Sequence, residues 1–249
     1  RDVAPSRGLG DVYKRQSPDK GYRRIRDDLD KYYHTPVNDK RTLRICRGLG
    51  IQSVVKHAPH GCTRAASSPR QLAENVLDRQ FYADRPNEKW LTDVTEFHYY
   101  TGTNMRKLYL SAILDLCDRR IVSFVIRDTN DAALVHRTLA QALEGNPGAR
   151  PLLHSDRGSA YTTQIFHDKL AAAGITQSMS RVGKCIDNGP MEGFWGILKR
   201  ERYYGRRFTS REQLVKMIQE YITYYNFHRL QRGLGVRTPM EVHDRLLAA

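Results

Sequence analysis

Three segments of alternating apolar and polar residues follow one another along the middle of the chain, at residues 90–97, 107–114 and 120–126. Alternation of this kind is typical of β-strands, and the connections between the segments are short. We therefore expect three consecutive strands that pair as an antiparallel meander. Asp115 and Asp118 lie in the second connection, where we interpret their carboxylates as turn-forming groups.

Beyond residue 130 the chain alternates between helical and strand patterns. Apolar residues recur at helical spacing over residues 131–144 and 162–173, and a glycine follows each segment closely. Short apolar segments at residues 151–154 and 175–180 indicate two further strands. Together with the meander, these segments predict a mixed α/β layer architecture.

A basic helical module precedes this region. Apolar residues at helical spacing predict one helix that ends at His34-Thr35-Pro36 and a second helix capped by Asn38. Two short helices joined by a tight break are typical of a helix-turn-helix. The second helix carries basic residues that we expect to contact DNA, namely Arg41, Arg44 and Arg47. The alternative is a helical hairpin with a solvated basic face.

Two other segments are interpreted from composition. Residues 1–16 show no helical or strand period and resemble the adapter-derived translations found at the ends of assembled sequences. We expect them to be a non-native leader, with the native start missing. Residues 61–70 are small and polar and predict a linker, followed by a helix near residues 70–82.

The charge of the chain indicates the class of its partner. Lys and Arg number 41 against 27 Asp and Glu, for a formal net charge of +14. Such a surplus favours a polyanion, either nucleic acid or an anionic membrane surface. The apolar runs fall short of the roughly 18 residues that a membrane span needs. The 4 cysteines form no C-x-x-C pair, which is typical of a reducing cytosol.

Three acidic residues lie either where burial of a carboxylate costs free energy or at positions that favour functional groups. Asp93 lies inside the first strand, where a buried carboxylate needs a partner or a cation. Asp156 directly follows a strand, and Glu192 lies in the first turn of a helix that we expect to begin at Pro190. Without His or Cys among them, three carboxylates suit two Mg²⁺ ions for in-line phosphoryl transfer.

Each acid also has a structural interpretation. Asp156 could cap a turn, Glu192 could be an ordinary first-turn helix residue, and Asp93 could pair with an arginine. Lys199 follows Glu192 by seven residues, which returns it to the same helix face, where it could bind a phosphate.

The predicted Glu192 helix has a packing side and an open side. We expect one side to pack through Met191, Phe194, Trp195 and Leu198. Gly193 and Gly196 leave the surface beside Glu192 open to a nucleic acid strand. A basic patch follows, suited to phosphate contact or to solvation, formed by Arg200, Arg202, Arg206, Arg207 and Arg211.

Several motifs together resemble a known family. They are Trp90-x-Thr92-Asp93-x-Thr95, His154-Ser155-Asp156-x-Gly158-x-x-Tyr161, Asp187-Asn188-x-x-Met191-Glu192-x-Phe194-x-x-x-Leu198-Lys199-Arg200-Glu201, Gly21-Tyr22-Arg23-Arg24-Ile25, Tyr225-Asn226-x-x-Arg229, Leu234-Gly235 and Thr238-Pro239. With 35 residues between Asp156 and Glu192, the chain resembles the second-frame DDE transposases of two-frame bacterial insertion sequences. The resemblance covers roughly residues 17–245.

The resemblance implies an RNase H-like fold, in which parallel strands extend the antiparallel meander and helices flank the sheet. It implies that Asp93, Asp156 and Glu192 are catalytic and bind two Mg²⁺ ions, for which Mn²⁺ may substitute. It also implies donor-strand cleavage at the ends of the element, followed by attack of a 3′-hydroxyl on a phosphodiester. Lys199 and Arg200 are then expected to contact DNA.

The same resemblance implies the partners and the domain organisation. Expected partners are the terminal inverted repeats, target DNA, further copies of the chain in a synaptic complex and an upstream-frame protein. The expected location is the bacterial cytoplasm, associated with the nucleoid and without a membrane. We expect a helix-turn-helix module and linker at 17–75, an integrase-type catalytic core at 86–205 and a helical extension at 206–249.

Two other functions remain open at this stage. One is a catalytically silent DNA-binding protein that occupies element ends and represses transposition. The other is a nuclease with the same core that cleaves RNA–DNA hybrids, although the basic modules on both sides of the core favour duplex DNA.

Overall fold

The computed structural model describes residues 18–55, 72–182 and 184–248. The leader at 1–16 and the linker at 61–70 lie outside the described residues. Within the described residues, no helix combines the length and the apolar character that a membrane crossing needs.

The described residues form one five-stranded mixed sheet with strand order β3-β2-β1-β4-β5. The strands are β1 (Lys89–Thr101), β2 (Asn104–Asp115), β3 (Ile121–Arg127), β4 (Leu152–Ser155) and β5 (Thr176–Met179). β1, β2 and β3 pair antiparallel, whereas β4 pairs parallel with both β1 and β5. The predicted meander and the mixed sheet are confirmed.

The connection between β2 and β3 is held by the two acids expected there. Asp115 accepts hydrogen bonds from the backbone N–H groups of Asn87 at 2.6 Å and Cys117 at 2.8 Å. Asp118 accepts one from the N–H of Arg120 at 2.9 Å. Both carboxylates are fully buried and engaged in turn geometry, which confirms their structural interpretation.

Helices cover both faces of the sheet. On one face α3 (Ala132–Gly145) and α4 (Gln164–Ala172) begin at side-chain caps, from Asp131 and Thr163 respectively. Their apolar residues pack with Trp90 of β1 in one cluster. On the other face, α5 (Gly189–Leu198) and α6 (Arg211–Phe227) pack against β1 and β2 in a second cluster.

The basic module is a pair of helices, as the sequence predicts. α1 (Tyr22–Tyr33) ends at His34, which adopts a left-handed conformation with φ of 50°. α2 (Asp39–Gly48) begins at Asn38, whose side chain accepts a hydrogen bond from the backbone N–H of Arg41 at 2.8 Å.

The helix predicted near residues 70–82 is wrong for the residues that the structure describes there. Residues 72–82 contain no helix and run beside β5. The backbone N–H of Leu77 donates to Ser178 Oγ at 3.1 Å, and the N–H of Met179 donates to the carbonyl of Glu74 at 3.2 Å. Hydrogen bonds to β5 and the burial of Leu77 thus take the place of the intrahelical bonds of the predicted helix.

The C-terminal extension packs into the same core as the sheet. Asn226 of α6 binds the edge of β3, because its amide accepts from the N–H of Ile121 at 2.9 Å and donates to its carbonyl at 3.0 Å. The final helix, α7 (Pro239–Leu247), begins at a capping box formed by Thr238 and Glu241.

Ion pairs join the helix-turn-helix to segments that follow the sheet. Arg24 of α1 donates to Glu201 at 2.8 Å. Arg232, beyond α6, donates to Asp27 of α1 at 2.8 Å and to Asp39 of α2 at 3.0 Å. The sequence motifs at the two ends of the chain therefore meet in space.

Candidate active site

Asp93 and Asp156 are brought together by the parallel pairing of β1 with β4. Leu91 is paired with His154 in this ladder. Two residues farther along the chain from this pair lie Asp93, still within β1, and Asp156, which directly follows the carboxyl end of β4. A topological position of this kind is favoured for functional groups in sheets with parallel strands.

The carboxylate of Asp93 is partly buried and held by two N–H donors. Oδ1 accepts from the backbone N–H of Val94 at 2.8 Å, and Oδ2 accepts from the indole Nε1 of Trp195 at 3.0 Å. Burial and the negative charge of Asp156 raise the pKa of Asp93 to about 7, with a smaller contribution from Glu192. The charge of Asp93 is therefore affected by both of the other acids.

Asp156 is oriented by the turn that follows β4. Its Oδ1 accepts a hydrogen bond from the backbone N–H of Gly158 at 2.8 Å. A Cβ atom on Gly158 would lie 2.9 Å from the same oxygen, so glycine leaves the space that this carboxylate occupies. Burial raises the pKa of Asp156.

Glu192 lies on the first turn of α5, one turn before Trp195, and its side chain is exposed. Partial burial raises its pKa. Among the described residues, no three His, Cys, Asp or Glu side chains are arranged as a ligand set for one metal ion. Asp156 and Glu192 are thus electrostatic neighbours of Asp93, without the tight arrangement of a formed metal site.

The start of α5 is bonded directly to β1. The amide Nδ2 of Asn188, the residue before the helix, donates to the carbonyl of Thr92 at 3.2 Å. Thr92 immediately precedes Asp93. This bond and the bond from Trp195 to Asp93 fix the helix that carries Glu192 beside the strand that carries Asp93.

A buried carboxylate paired with two exposed arginines holds the turn before α5. Asp187 accepts from Arg181 Nε at 2.9 Å and from Arg79 Nε at 2.6 Å, and also from the amide of Asn75 at 3.1 Å. Hydrogen bonds from Arg181 in particular hold the pKa of Asp187 far below its usual range. Asp187 therefore acts as a structural anchor for the 3₁₀ turn Cys185–Asn188 that leads into α5.

Neutral polar groups lie beneath the two strand acids. His154 is fully buried, with its ring nitrogens 2.8 Å from Ser178 Oγ and 3.1 Å from Ser180 Oγ. Burial lowers the pKa of His154 to about 4, so the ring is neutral at physiological pH. The Tyr161 hydroxyl, also buried, lies 3.3 Å from Thr92 Oγ1.

Lys199 lies close to two acids of β1, Asp93 and Glu96. Its ammonium is 5.1 Å from the centroid of the Phe97 ring, and burial lowers its pKa while Glu96 and Asp93 raise it. It begins a π-helical turn, Lys199–Tyr203, that continues α5. The regular α-helical spacing that predicts Lys199 on the face of Glu192 holds up to Leu198. It does not continue through the π-helical turn from Lys199 to Tyr203.

The two glycines beside Glu192 differ. A Cβ on Gly193 would meet nothing within 4 Å, which confirms the expected open surface. A Cβ on Gly196 would lie 2.9 Å from the guanidinium of Arg200, so the expectation of open space there is wrong. Arg200 folds back over its own helix at this position, because a residue four positions earlier on a helix lies beneath it.

The basic residues divide into engaged and available groups. Arg202 pairs with Asp19 and Arg211 pairs with Asp128, both at 2.8 Å, so these two are partly neutralised within the chain. Three of the four basic residues of α2 are exposed arginines that form no ion pair with any residue in the described ranges, namely Arg41, Arg44 and Arg47.

The sequence pattern does not predict the roles of three residues near the site. Trp195 and Asn188 bond to β1, and Asp187 anchors the turn before α5. Trp195 was expected to pack, and it is 6% exposed within the core cluster, but its indole N–H also binds Asp93. The motif included Asp187 and Asn188 without a role. No signal in the sequence predicts the Trp195 bond, because the partners are 102 residues apart.

Comparisons with known proteins match these observations. Two family models described as "Integrase core domain" match residues 83–185 and 173–239, and an "HTH-like domain" model matches residues 10–59. An uncharacterized transposase-like protein of Haemophilus influenzae is 40% identical over 211 residues, which cover 85% of this chain and 95% of that protein. The putative transposase InsK for insertion sequence element IS150 of Escherichia coli is 37% identical over 238 residues, covering 95% and 82%.

A solved structure shares the fold. A chain of the simian T-cell lymphotropic virus intasome, determined by cryo-electron microscopy, superposes with a TM-score of 0.56 at 19% identity, over 87% of this chain and 73% of that one. The mixed five-stranded sheet with flanking helices is thus an RNase H-like fold of the integrase type.

Proposed function

The chain belongs to the insertion-sequence transposases that have an integrase core domain, and from that premise we propose that Asp93, Asp156 and Glu192 are the carboxylates with which it cleaves and joins DNA strands. The observation that carries this proposal is the convergence of β1, the end of β4 and α5: β1 pairs parallel with β4, and Trp195 of the Glu192 helix donates to Asp93 at 3.0 Å. Two neighbouring strand acids and a nearby helix acid repel one another, and a bound cation would relieve that repulsion.

The donor set fits magnesium. It consists of carboxylate oxygens only, and Mg²⁺ in proteins is usually bound by one or two carboxylates together with water and substrate phosphate. Asp93 and Asp156 would hold the ions from the sheet, and Glu192 would close the set from α5. Bound Mg²⁺ or Mn²⁺, as two ions, would supply activation of the attacking water or 3′-hydroxyl and stabilisation of the leaving oxygen.

Other residues of the chain orient the carboxylates and would bind the DNA strand. Gly158 and Val94 hold the carboxylates of Asp156 and Asp93 by backbone N–H groups. Lys199, whose ammonium lies near Asp93, would bind a phosphate of the scissile strand, and Arg200 would contact the same strand farther along.

DNA recognition belongs to the helix-turn-helix. Its second helix presents Arg41, Arg44 and Arg47 to solvent, and we assign these residues to the terminal inverted repeats. Each phosphate contact adds to the salt dependence of DNA binding. Removing one with Arg44→Ala should therefore reduce the slope of log affinity against log salt by about one. Lys216→Ala, at an exposed position on α6, is the matched control and should leave the slope unchanged.

The proposal extends to assembly and location. Both ends of an element must be held together during strand joining, which favours two or more copies of this chain in the active complex, together with target DNA and an upstream-frame protein. A DNA-bound role favours the nucleoid of the bacterial cytoplasm.

The experiment that tests the proposal is nicking of supercoiled plasmid in Mg²⁺ or Mn²⁺. Asp93→Asn, Asp156→Asn and Glu192→Gln should each reduce the rate at least about a hundredfold, because several kcal/mol of transition-state stabilisation is removed. Asp168→Asn is the control, since this exposed residue of α4 contacts only the Gln164 side chain among the described residues. Equal nicking by wild type and Asp156→Asn would contradict the assignment.

The same preparation separates the two other functions. Binding of plasmid DNA without nicking in either metal would favour a catalytically silent repressor. Faster hydrolysis of an RNA–DNA hybrid than of plasmid would favour the nuclease.

A further inference from the structure

Trp195 joins the two elements that carry the proposed ligands. It lies on α5 three residues after Glu192, and its indole Nε1 donates to Asp93 Oδ2 at 3.0 Å. Positions three apart on a helix are neighbours, and here Trp195 is buried against β1 while Glu192 is exposed one turn earlier. The Trp195 bond therefore links the Asp93 carboxylate to the helix that carries Glu192.

The acceptor capacity of Asp93 leaves room for a cation beside this bond. A carboxylate has two oxygens and about four lone-pair sites. The backbone N–H of Val94 uses one site on Oδ1, and the indole of Trp195 uses one on Oδ2. Each oxygen therefore keeps one free site, and the two donors fix the plane in which those sites point.

Packing alone does not explain the choice of tryptophan. The adjacent Phe194 fills the core from the same helix, with its ring centroid 4.8 Å from that of Tyr225. A phenylalanine at 195 would keep most of the apolar contact but could not donate to a partly buried carboxylate. A carboxylate that loses such a donor gains rotational freedom as well as an unsatisfied oxygen.

We propose that Trp195 is a positioning residue, whose indole N–H orients Asp93 for divalent cations and holds Glu192 within reach of the same cations. The inference rests on the proposed function, since it takes Asp93 as a ligand. Groups that orient a metal ligand through a hydrogen bond affect metal affinity about 10- to 100-fold. Trp195→Phe should therefore weaken binding of Mn²⁺ by about tenfold or more.

The chain supplies a closely matched control. It has 2 tryptophans, and the indole Nε1 of Trp90 donates to the carboxylate of Asp115 at 3.2 Å. Trp90→Phe deletes the same chemical group at a structural acid on the sheet. Phe194→Leu is a second control, because it loses aromatic packing on α5 without removing a donor to Asp93.

The measurement is titration of the full chain with Mn²⁺, followed by calorimetry, after circular dichroism and thermal melting confirm that each variant folds. We expect weaker Mn²⁺ binding for Trp195→Phe and wild-type affinity for Phe194→Leu and Trp90→Phe. Wild-type affinity in folded Trp195→Phe would overturn the inference, as would equal weakening in Phe194→Leu.

Asp93→Asn separates this inference from the proposed function. Wild-type Mn²⁺ affinity in Asp93→Asn would refute the ligand assignment itself. Lost binding in Asp93→Asn together with wild-type binding in Trp195→Phe would leave the ligand assignment standing and remove only the positioning role.

Discussion

Glu201 and Arg229 form a buried ion pair, with Nη2 of the guanidinium donating to Oε1 at 2.8 Å. Glu201 lies in the π-helical turn after α5, and Arg229 lies two residues beyond α6. The same carboxylate accepts from the Tyr221 hydroxyl at 2.9 Å and from Arg24 of the helix-turn-helix. The motif that ends at Arg229, the motif that contains Arg24 and the α6 residue Tyr221 therefore converge on a single acid.

Glu201→Gln should destabilise the fold by about 3 kcal/mol, because removing one partner leaves buried guanidinium groups uncompensated. The measurement is urea unfolding followed by circular dichroism. Glu220→Gln is the matched control, since Glu220 forms an exposed pair with Lys216 at 3.8 Å, and it should change the free energy of unfolding by about 0.5 kcal/mol or less. Equal effects of the two variants would refute the role of Glu201.

Gly158→Ala should impair nicking while leaving the fold intact. The added Cβ would lie 2.9 Å from Asp156 Oδ1, so the carboxylate must rotate away from its position. Because a misplacement of about 1 Å can cost a hundredfold in rate, we expect plasmid nicking to fall at least about tenfold. Gly145→Ala at the end of α3, where a Cβ meets nothing within 4 Å, should retain the wild-type rate.

Asp187→Asn should loosen the start of α5. The variant keeps the size of the side chain but removes the charge that compensates Arg79 and Arg181. We expect a loss of about 1.5 kcal/mol in the free energy of unfolding, because charge-assisted hydrogen bonds are weakened while both arginines remain partly solvated. Asp78→Asn is the control, because Asp78 also pairs with Arg181 but is exposed, at 3.6 Å. An equally large loss for Asp78→Asn would contradict the anchoring role.

The raised pKa of Asp93 predicts a pH dependence of stability in the presence of a chelator. With a pKa of about 7 in the fold and near 3.8 when unfolded, the folded state binds the extra proton between these values. The free energy of unfolding should therefore fall as pH rises from 5 to 8. Since one pKa unit corresponds to about 1.4 kcal/mol, the contribution of Asp93 should exceed about 1 kcal/mol.

Asp93→Asn tests the origin of that slope. The amide cannot ionise, so the variant should lose this part of the pH dependence, whatever constant cost the substitution adds. A slope between pH 5 and pH 8 identical to that of the wild type would show that Asp93 is not the titrating group.

Much of the fold follows from local pattern. Alternation of apolar and polar residues predicts the meander. Capping residues, such as Asn38 and the Thr238–Glu241 pair, indicate where helices begin. Residues 72–82 escaped prediction because their backbone bonds go to β5, a partner about a hundred residues away that no local pattern reveals.

The candidate site is also predictable only where local pattern is enough. The three acids stand at strand, strand-end and helix-start positions, which the sequence pattern shows. The pairing of Arg202 with Asp19, and the bond of Trp195 to Asp93, depend on how distant elements pack. A basic or aromatic residue has the same local signature whether it contacts solvent, an acid or a ligand.

The most direct test of the account is anomalous diffraction from crystals of the protein bound to DNA and Mn²⁺. We expect two Mn²⁺ positions held by carboxylate oxygens of Asp93, Asp156 and Glu192, at about 2.0–2.2 Å, the range of metal–carboxylate bonds in proteins. Mn²⁺ bound away from these side chains, or a fully occupied site without Asp156 and Glu192, would contradict it.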